Sequence, residues 1–339
     1  MGEFPTVDLV ILNYNSGDTL SESFATLRET DYPRVHIIVV DNGSSDGSDE
    51  FIREYLDSMK NLTFIKNKKN LGCPGGLNSA MPYLQGKYSV FLNEDIFVID
   101  KGWLKKLTNI LERNANIGAI GPALVDRGGN CHCSSTYFSK LYVLASGSQD
   151  EELYSDLADV PFVGLGMIIT RTDLYKKIGG FRERYFLYWD DVDYCIRVWI
   201  MGYRVCVTNS TFLQHLHQVS IGRNVTGFMV RYLTERNSLM FLFIFYPRSY
   251  LMRYLPAVLI KRVAMIANHL RKRRSLDALG MFLGSCASLY HLPWIIKERR
   301  AVPSKYRIGE VIEKISSLTP DPYKDRKLTR LIVSTFGLR

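Results

Sequence analysis

The sequence predicts an α/β protein: a mostly parallel central sheet with flanking helices, followed by a basic helical region at the C-terminal end. Apolar runs alternate with amphipathic segments over roughly the first third of the chain, the pattern of a parallel sheet whose strands are joined by helices. The apolar runs are nearly continuous, as in strands that are buried on both faces. Basic residues concentrated late in the chain predict the C-terminal region.

The alternating part contains four predicted strands and four predicted helices. The strands are Val7–Leu12, Val35–Val40, Leu62–Ile65 and Tyr88–Leu92, and the helices are Asp18–Glu29, Ser48–Met59, Gly75–Leu84 and Trp103–Glu112. Open α/β sheets bind their ligands beyond the carboxyl ends of the strands. The residues that follow each predicted strand are therefore the first candidates for a functional site.

The pattern loosens after Gly118, and three more elements are predicted beyond it. Phe162–Ile169 is predicted as a strand with two glycines, Tyr194–Met201 as a helix, and Val205–Thr208 as a further strand. Glycine inside a strand often marks the close approach of a ligand or of another backbone segment.

Length, composition and charge bound the class of protein. The chain has 339 residues, of which 46% are hydrophobic and 23% charged, which suggests two domains and excludes a disordered chain. The formal net charge is +9, and the segment from Arg248 to Lys305 accounts for it, with twelve Lys or Arg against two acids. We therefore expect one domain at 1–247 and, at 248–339, a basic, amphipathic region that associates with membranes.

Three interpretations of the basic region stay open. Ala278 to Ile296 spans 19 residues without Asp, Glu, Lys or Arg, but its glycines, serines and proline make it marginal for a membrane-spanning helix. Helices that lie in the interface of an anionic membrane are the preferred interpretation, and a soluble basic bundle is the third. No zinc finger, RNA-recognition or helix-turn-helix motif supports nucleic acid as a partner.

The cysteines and the N-terminal sequence indicate a compartment. Six scattered cysteines form no disulfide framework for this length, which favours a reducing environment. Cys131-His132-Cys133 lacks a second ligand pair at structural-zinc spacing, so a loop thiol pair is preferred. The N-terminus has neither a basic n-region nor a long apolar h-region. We expect a cytoplasmic protein, peripheral on the inner face of the cell membrane.

Polar and glycine residues follow all four early strands. Asn13-Tyr14-Asn15 follows the first, Asp41–Gly47 the second, Asn70 with Gly75 and Gly76 the third, and Asn93-Glu94-Asp95 the fourth. Each set alone suits a turn or a helix cap. Their convergence on one edge of the sheet favours a binding site.

An aromatic and acidic stretch, Tyr185–Asp193, places three carboxylates just before the predicted helix Tyr194–Met201. One acid is enough to cap a helix. The aromatic side chains before Asp190 and Asp191 are expected to desolvate them and to raise or couple their pKa values, which suits a general base. Farther on, His215 and His217 are candidate metal ligands, with a structural role as the alternative.

Taken in order, these stretches resemble family 2 glycosyltransferases with the GT-A fold, especially the rhamnosyltransferase-like branch. Each stretch alone is weak, but together they cover about Val7 to Pro247 with the order and spacing of the family. They are Ile11–Asn15, Val39–Gly47, Asn70–Gly72 with Gly75, Gly76 and Asn78, Phe91–Asp95, Gly179–Phe181, Tyr188–Asp193, His215 and Arg236-Asn237.

The resemblance implies donor-binding roles along the sheet edge. Asp41 would accept from the nucleotide base, and Asn13 and Asn15 would lie beside the base and the ribose. The other donor-binding positions are Asn70, Gly76, Asn78, Asn93, Trp189 and Asp190.

The resemblance also implies a metal site and a catalytic base. Asp95 would hold Mg²⁺ or Mn²⁺, His215 is similar to a family metal ligand with His217 as its competitor, and Asp191 is the base. Asn93 departs from the Asp that many members of the family have there, which removes one charge from the metal site.

The activity that the resemblance implies is inverting transfer of a sugar from a UDP- or dTDP-linked donor. The expected acceptor is a hydroxyl of a lipid-linked glycan at an anionic membrane surface. A catalytically decayed sugar-nucleotide-binding scaffold is the main alternative. A nucleotide-sugar oxidoreductase is disfavoured because the loop Asn13–Asp18 lacks Gly-x-Gly-x-x-Gly.

Overall fold

The computed structural model of the chain describes residues 4–56, 59–129, 131–132, 135–139, 144–148, 156–164, 166–216, 225–302 and 308–318. The chain forms two compact units, one of residues 1–136 with 147–224 and the other of residues 137–146 with 225–339. The helix Gly227–Phe245, which precedes the expected boundary at Pro247, belongs to the second unit.

The first unit holds the central sheet and the helices that flank it. Its strands are β1 (Val7–Asn13), β2 (Val35–Asp41), β3 (Leu62–Lys66), β4 (Tyr88–Asn93), β5 (Ile96–Val98), β6 (Ile117–Val125), β7 (Cys131–His132), β10 (Leu157–Asp159), β11 (Met167–Arg171) and β12 (Arg204–His215). Its helices are α1 (Gly17–Leu27), α2 (Ser48–Leu56), α3 (Gly72–Asn78), α4 (Trp103–Arg113), α5 (Thr172–Ile178) and α6 (Asp190–Ile200). Separately, β8 (Ser135–Ser139) and β9 (Leu144–Ser148) pair as a two-stranded sheet.

The central sheet has the strand order β10-β12-β6-β11-β4-β1-β2-β3, with β5 paired to β12 and β7 to β6. Strands β3, β2, β1 and β4 run parallel to one another, and so do β6 and β12. Strand β11 is antiparallel to both β4 and β6. The predicted α/β fold, with a mostly parallel sheet and flanking helices, is confirmed.

The core explains why the apolar runs are continuous. Every residue of β1 is buried, because β2 and β4 flank it in the sheet and helices cover its faces. Leu20 and Phe24 of α1 and Leu107 of α4 belong to the same buried cluster as Ile11 of β1. Helices α1 and α4 thus turn their apolar stripes to the sheet.

Two predicted elements differ in the structure. The predicted helix Gly75–Leu84 is instead α3 followed by a 3₁₀ turn at Met81–Tyr83. Pro82 has no N–H to donate to the carbonyl of residue 78, and its ring would clash with that carbonyl in a continuous α-helix. The predicted strand Phe162–Ile169 is also wrong in its first half. The backbone N–H of Val163 bonds to the Cys195 thiol (3.4 Å) rather than to a strand, and β11 begins only at Met167.

The later helix and strand of the first unit are longer than predicted. Helix α6 begins at Asp190 rather than Tyr194, since acidic side chains in a first turn favour the helix N-terminus electrostatically. Strand β12 continues past Thr208 to His215, with a register shift between Thr208 and Phe212.

The described part of the second unit from residue 225 onward is helical. Its elements are α7 (Gly227–Phe245), α8 (Arg248–Arg271), α9 (Ser275–Tyr290), α10 (Leu292–Ala301) and α11 (Ile308–Ser317). In the described part of the chain, no single helix has the length and apolar composition to cross a membrane. The pair α9 and α10, bent by 63°, has both only when taken together.

Candidate active site

Three strand ends meet at one edge of the central sheet. Asn13 at the end of β1 is the register partner of Asp41 at the end of β2. On the other side of β1, Leu12 is the partner of Asn93 at the end of β4. The parallel register therefore brings together three of the predicted donor-binding residues.

Asn13 and Asp41 organise the loop that follows β2. The Asn13 amide donates to Asp41 Oδ1 (3.2 Å), Ser44 Oγ (3.2 Å) and Ser48 Oγ (2.7 Å). Asp41 Oδ2 accepts from the Ser44 backbone N–H (3.2 Å). Asn13 Oδ1 is buried without a hydrogen-bond partner among the described residues. A buried acceptor without a hydrogen bond costs free energy. An N–H or O–H group of a bound ligand would remove that cost by donating to this oxygen.

Asn15 and Asn70 shape the loops on either side. Asn15 has a positive φ of 50°, and its Oδ1 accepts from the Ser45 backbone N–H (2.8 Å). Asn70 Oδ1 accepts from the Asn42 amide (3.1 Å) and the Gly72 N–H (2.8 Å). Both side chains lie at the predicted edge, and both fix backbone there.

Gly76 and Asn78 have internal packing roles in α3. A Cβ on Gly76 would lie 2.4 Å from Leu12 Cδ1. The Asn78 side chain accepts from the Tyr175 hydroxyl (2.6 Å) and the Phe181 N–H (3.0 Å), and its amide donates to the Phe181 carbonyl (2.8 Å). Donor contacts by these two residues remain a prediction.

Asp95 and His215, far apart in the chain, lie side by side. Asp95 immediately precedes β5, and the antiparallel register of β5 with β12 pairs Ile96 with His215. His215 Nε2 is 3.2 Å from Asp95 Oδ1, and both side chains are buried. Gly166 makes room for the ring, because a Cβ there would lie 3.0 Å from His215.

The donor set of this pair fits a divalent cation in part. Asp95 Oδ1 is buried and has no well-formed hydrogen bond to any described residue. Among the described residues, no group of three or more His, Cys, Asp or Glu side chains gathers as a metal site. The competing candidate His217 lies outside the described residues. Two protein ligands leave the other coordination positions to a substrate or to water.

The three acids of α6 have different environments. Asp193 is fully buried, and its carboxylate pairs with Arg197 (2.7 Å), with Arg182, and with the Tyr185 hydroxyl (3.1 Å). Asp190 is 2% exposed, and its Oδ2 has no hydrogen-bond partner in the described part of the chain. Asp191 is partly exposed.

Burial, and then the neighbouring Asp191 carboxylate, raises the pKa of Asp190 to about 8. Burial, followed by the charges of Asp190 and Asp191, also raises the pKa of the Cys73 thiol well above its usual value, with a further contribution from Glu94. Cys73 at the start of α3 therefore lies within electrostatic reach of both the acidic pair and the end of β4. Perturbed carboxyls of this kind are typical of functional sites.

The backbone before α6 is strained in the segment 185–189, here called the aromatic loop. Phe186, Tyr188 and Trp189 have φ values of 64°, 66° and 70°, which side chains with a Cβ rarely adopt. The Phe186 carbonyl accepts from the Cys73 N–H (2.7 Å), and a Cβ on Gly72 would lie 2.3 Å from that oxygen. Strain of this kind clusters at ligand and active sites.

Sequence reasoning missed Asn42, which ties the end of β2 to α3. Its amide donates to the Gly72 carbonyl (3.0 Å), and its Oδ1 accepts from the Asn67 amide and the Leu71 N–H (both 3.1 Å). It lies in the loop Asp41–Gly47, so the polar stretch after the second predicted strand already pointed to it. Gly72 was also missed as a close-approach position, because only the tertiary contacts identify it. Gly166, one of the two glycines expected to mark a close approach, is approached by the His215 ring.

Comparison with known proteins places the chain in a family. The model of glycosyl transferase family 2 matches residues 8–179, just over half of the chain. The N-acetylglucosaminyl-diphospho-decaprenol L-rhamnosyltransferase of Mycobacterium tuberculosis is 25% identical over 242 residues, covering 64% of this chain and 78% of that protein.

Two shorter matches are with uncharacterized glycosyltransferases. The Haemophilus influenzae protein is 30% identical over 124 residues, covering 37% of this chain and 38% of its own length. The Methanocaldococcus jannaschii protein is 32% identical over 130 residues, covering 37% of this chain and 44% of its own. The chain thus spans less than half of the length of these two relatives.

Solved structures share the GT-A fold. GalNAc-T7 with UDP, GalNAc and Mn²⁺ has a TM-score of 0.58 at 14% identity, covering 73% of this chain and 49% of that one. TarS 1–349 of S. aureus has a TM-score of 0.55 at 16% identity, covering 98% and 91%. Its structure in complex with UDP-GlcNAc has a TM-score of 0.54 at 16% identity, covering 90% and 92%.

Proposed function

This chain belongs to glycosyl transferase family 2 and is a glycosyltransferase, and from that premise we propose that it transfers a sugar, with inversion, from a nucleoside-diphosphate sugar to an acceptor hydroxyl. The observation that carries the proposal is the acidic pair at the start of α6, in which Asp190 is buried and Asp191 is partly exposed. A base must reach its substrate, so the exposed member suits the proton-accepting role.

The sheet edge suits the donor nucleotide. The base and ribose would bind at the ends of β1 and β2, where Asp41 is buried and Asn13 Oδ1 awaits a donor. The loop between β2 and α2 supplies backbone N–H groups and hydroxyls around that edge. UDP- and dTDP-linked sugars both fit contacts of this kind.

Asp191 would act as the general base in a single displacement. The acceptor oxygen attacks the anomeric carbon from the face opposite the diphosphate, and its proton moves to the Asp191 carboxylate. The bond from the anomeric carbon to the diphosphate oxygen breaks, and the nucleoside diphosphate leaves with that electron pair. A proton held on Asp190, whose pKa burial raises to about 8, limits charge repulsion within the pair.

Asp95 and His215 would hold a divalent cation, Mg²⁺ or Mn²⁺. Such an ion supplies positive charge that neutralises the departing diphosphate. Asn93, at the end of β4, contributes no charge. The ligand pair Asp95 and His215 therefore offers the ion a single formal negative charge, that of Asp95.

The acceptor we propose is a lipid-linked glycan on the cytoplasmic face of the cell membrane. The support is the relative from Mycobacterium tuberculosis, whose name specifies a diphospho-decaprenol substrate and which covers 64% of this chain.

The test compares Asp191→Asn with wild type in two assays. Nucleoside-diphosphate release, measured with UDP- and dTDP-sugars and a polyprenyl-diphosphate glycan acceptor, should fall about 100-fold or more in kcat. The donor-induced rise in melting temperature should persist, because binding of the donor to the native state does not need the base.

The matched control is Asp173→Asn, an exposed acid in the first turn of α5, which should keep wild-type activity. Transfer that survives Asp191→Asn would overturn the assignment of the base. A wild-type protein that binds donor but releases nucleotide with none of these acceptors would instead support the decayed scaffold.

A further inference from the structure

Helix α9 of the second unit exposes large apolar side chains along one whole side. Leu289 is 56% exposed and Tyr290 is 84% exposed. Cys286, one turn earlier in the helix, is exposed as well. The other exposed apolar residues of the helix are Leu276, Leu279, Phe282 and Leu283. Their spacing of three and four residues places them on one face of the helix. We call this row the α9 outer face.

The opposite side of α9 carries small residues. A Cβ on Gly280 would lie 2.7 Å from the Phe228 carbonyl oxygen of α7, and one on Gly284 would lie 2.4 Å from that of Tyr232. The two helices therefore touch backbone to backbone. A water-soluble helix buries its large apolar residues, whereas small residues spaced four apart at a helix contact are typical of helices packed in lipid.

A cluster of polar side chains is buried among the apolar residues inside the same unit. Glu235 of α7 is 8% exposed and Arg262 of α8 is 6% exposed, and they form an ion pair. Arg262 also donates to Ser238 Oγ (2.9 Å), and Ser285 Oγ of α9 donates to Glu235 Oε1 (3.2 Å). Charged side chains that face the interior of a helical unit and pair there are compatible with a lipid environment.

Helix α8 adds a second apolar row. Met252, Leu259, Val263 and Leu270 recur at spacings of seven, four and seven, and their exposed fractions are 78%, 49%, 68% and 56%. Helices α8 and α9 pack against each other. An exposed apolar surface of this extent marks an interaction site rather than ordinary protein surface.

The charge at the end of these rows identifies the occupant. The turn between α8 and α9 carries Arg271, Lys272, Arg273 and Arg274, all exposed. Anionic lipid headgroups attract such a cluster, whereas a second copy of the chain packed in parallel on this face would bring a like charge against it. We propose that the α9 outer face and the exposed row of α8 insert into the surface of an anionic lipid bilayer, with the basic turn at the headgroups.

This docking surface deepens the proposed function, since it would hold the site at the membrane that contains a lipid-linked acceptor. It is testable without donor or acceptor. The test is flotation of the full chain with vesicles of phosphatidylcholine, with and without phosphatidylglycerol. Wild type should float with the anionic vesicles, and loss of sugar transfer alone would leave that result unchanged.

Two variants separate the apolar and the ionic contributions. Phe282→Gln with Leu283→Gln should weaken partitioning about tenfold or more, because two large apolar side chains lose their place in hydrocarbon. Arg271→Gln with Lys272→Gln should weaken binding to anionic vesicles about fivefold for each charge removed. The matched control is Ile99→Gln, an exposed apolar residue of the first unit at 56% exposure, and it should float like wild type.

A fluorescence measurement keeps the test independent of these substitutions. A bimane label on Cys286, which is exposed on the same face, should shift to the blue when anionic vesicles are added. A label at Ile99→Cys, in a chain that also carries Cys286→Ser, should not shift. Unchanged flotation of the apolar double variant, or an unshifted Cys286 label, would overturn the proposal. So would a concentration-dependent dimer, seen by light scattering, that the double variant abolishes.

Discussion

Replacing Asp190 with Asn tests whether the buried member of the acidic pair carries a proton at neutral pH. Burial and the Asp191 charge raise the pKa of Asp190 from 3.8 to about 8. Between these two pH values the native state holds a proton that the unfolded chain has released. The free energy of unfolding therefore falls as pH rises through this window.

The magnitude follows from proton linkage. One proton bound only by the native state gives a slope of about 1.4 kcal/mol per pH unit in the middle of the window. From pH 5 to pH 7 this group should cost the wild type about 3 kcal/mol of stability. Asn resembles the protonated carboxyl in size and does not titrate, so Asp190→Asn should lack this component.

The assay is urea unfolding at pH 5, 6 and 7 in the presence of EDTA, followed by tryptophan fluorescence. The quantity compared is the difference between variant and wild type at each pH. This difference removes the contributions of other titrating groups. One of them is His269, whose pKa is lowered, mainly by burial. Its contribution to the free energy of unfolding rises with pH, which is opposite in sign to that of Asp190.

The exposed Asp173→Asn should keep the wild-type pH dependence. Parallel curves for wild type and Asp190→Asn would refute the reasoning, because they would mean that Asp190 is ionised in both states. The proposed division of labour, with a proton on Asp190 and a free carboxylate on Asp191, would then fail as well.

Two further predictions concern the aromatic loop and the metal ligands. Gly72 has a φ of 75°, and a Cβ there would lie 2.3 Å from a carbonyl oxygen of that loop. Gly72→Ala should therefore lower the free energy of unfolding in urea by about 1–3 kcal/mol more than Gly47→Ala does. The Gly47 control has nearly the same φ, 79°, and nothing within 4 Å; equal losses would refute the contact. His215→Ala should raise the Mn²⁺ concentration for half-maximal activity about tenfold or more; an unchanged Mn²⁺ dependence would remove it from the metal site.

Local pattern alone was enough to predict the parallel half of the sheet. Continuous apolar runs such as Ile37–Val40 are satisfied by burial on both faces of the sheet, and the helices between such runs favour parallel strands. The polar ends Asn13, Asp41 and Asn93 followed directly, since parallel strands end at one edge. These inferences need only the order of elements and the period of the pattern.

The other half of the sheet, which contains the antiparallel pairs, depended on contacts that the local pattern does not encode. Phe162–Ile169 is apolar enough for a strand, yet Val163 bonds to the Cys195 thiol and only the part from Met167 joins the sheet. The extension of β12 to His215 is likewise set by its pairing with β5 and β6. Pairing between distant segments decides such boundaries.

The sequence by itself determined which residue types stand at the sheet edge and before α6, because each follows a recognisable strand or helix signal. Only the tertiary structure decided which of them meet. The register of β5 with β12 sets Asp95 beside His215, and packing buries Asp190 while leaving Asp191 partly exposed. Packing also places Gly280 and Gly284 against α7 and leaves the leucines of α9 exposed. Burial and strand pairing depend on contacts between segments that are distant in the chain. The local periodicity of the sequence therefore does not predict them.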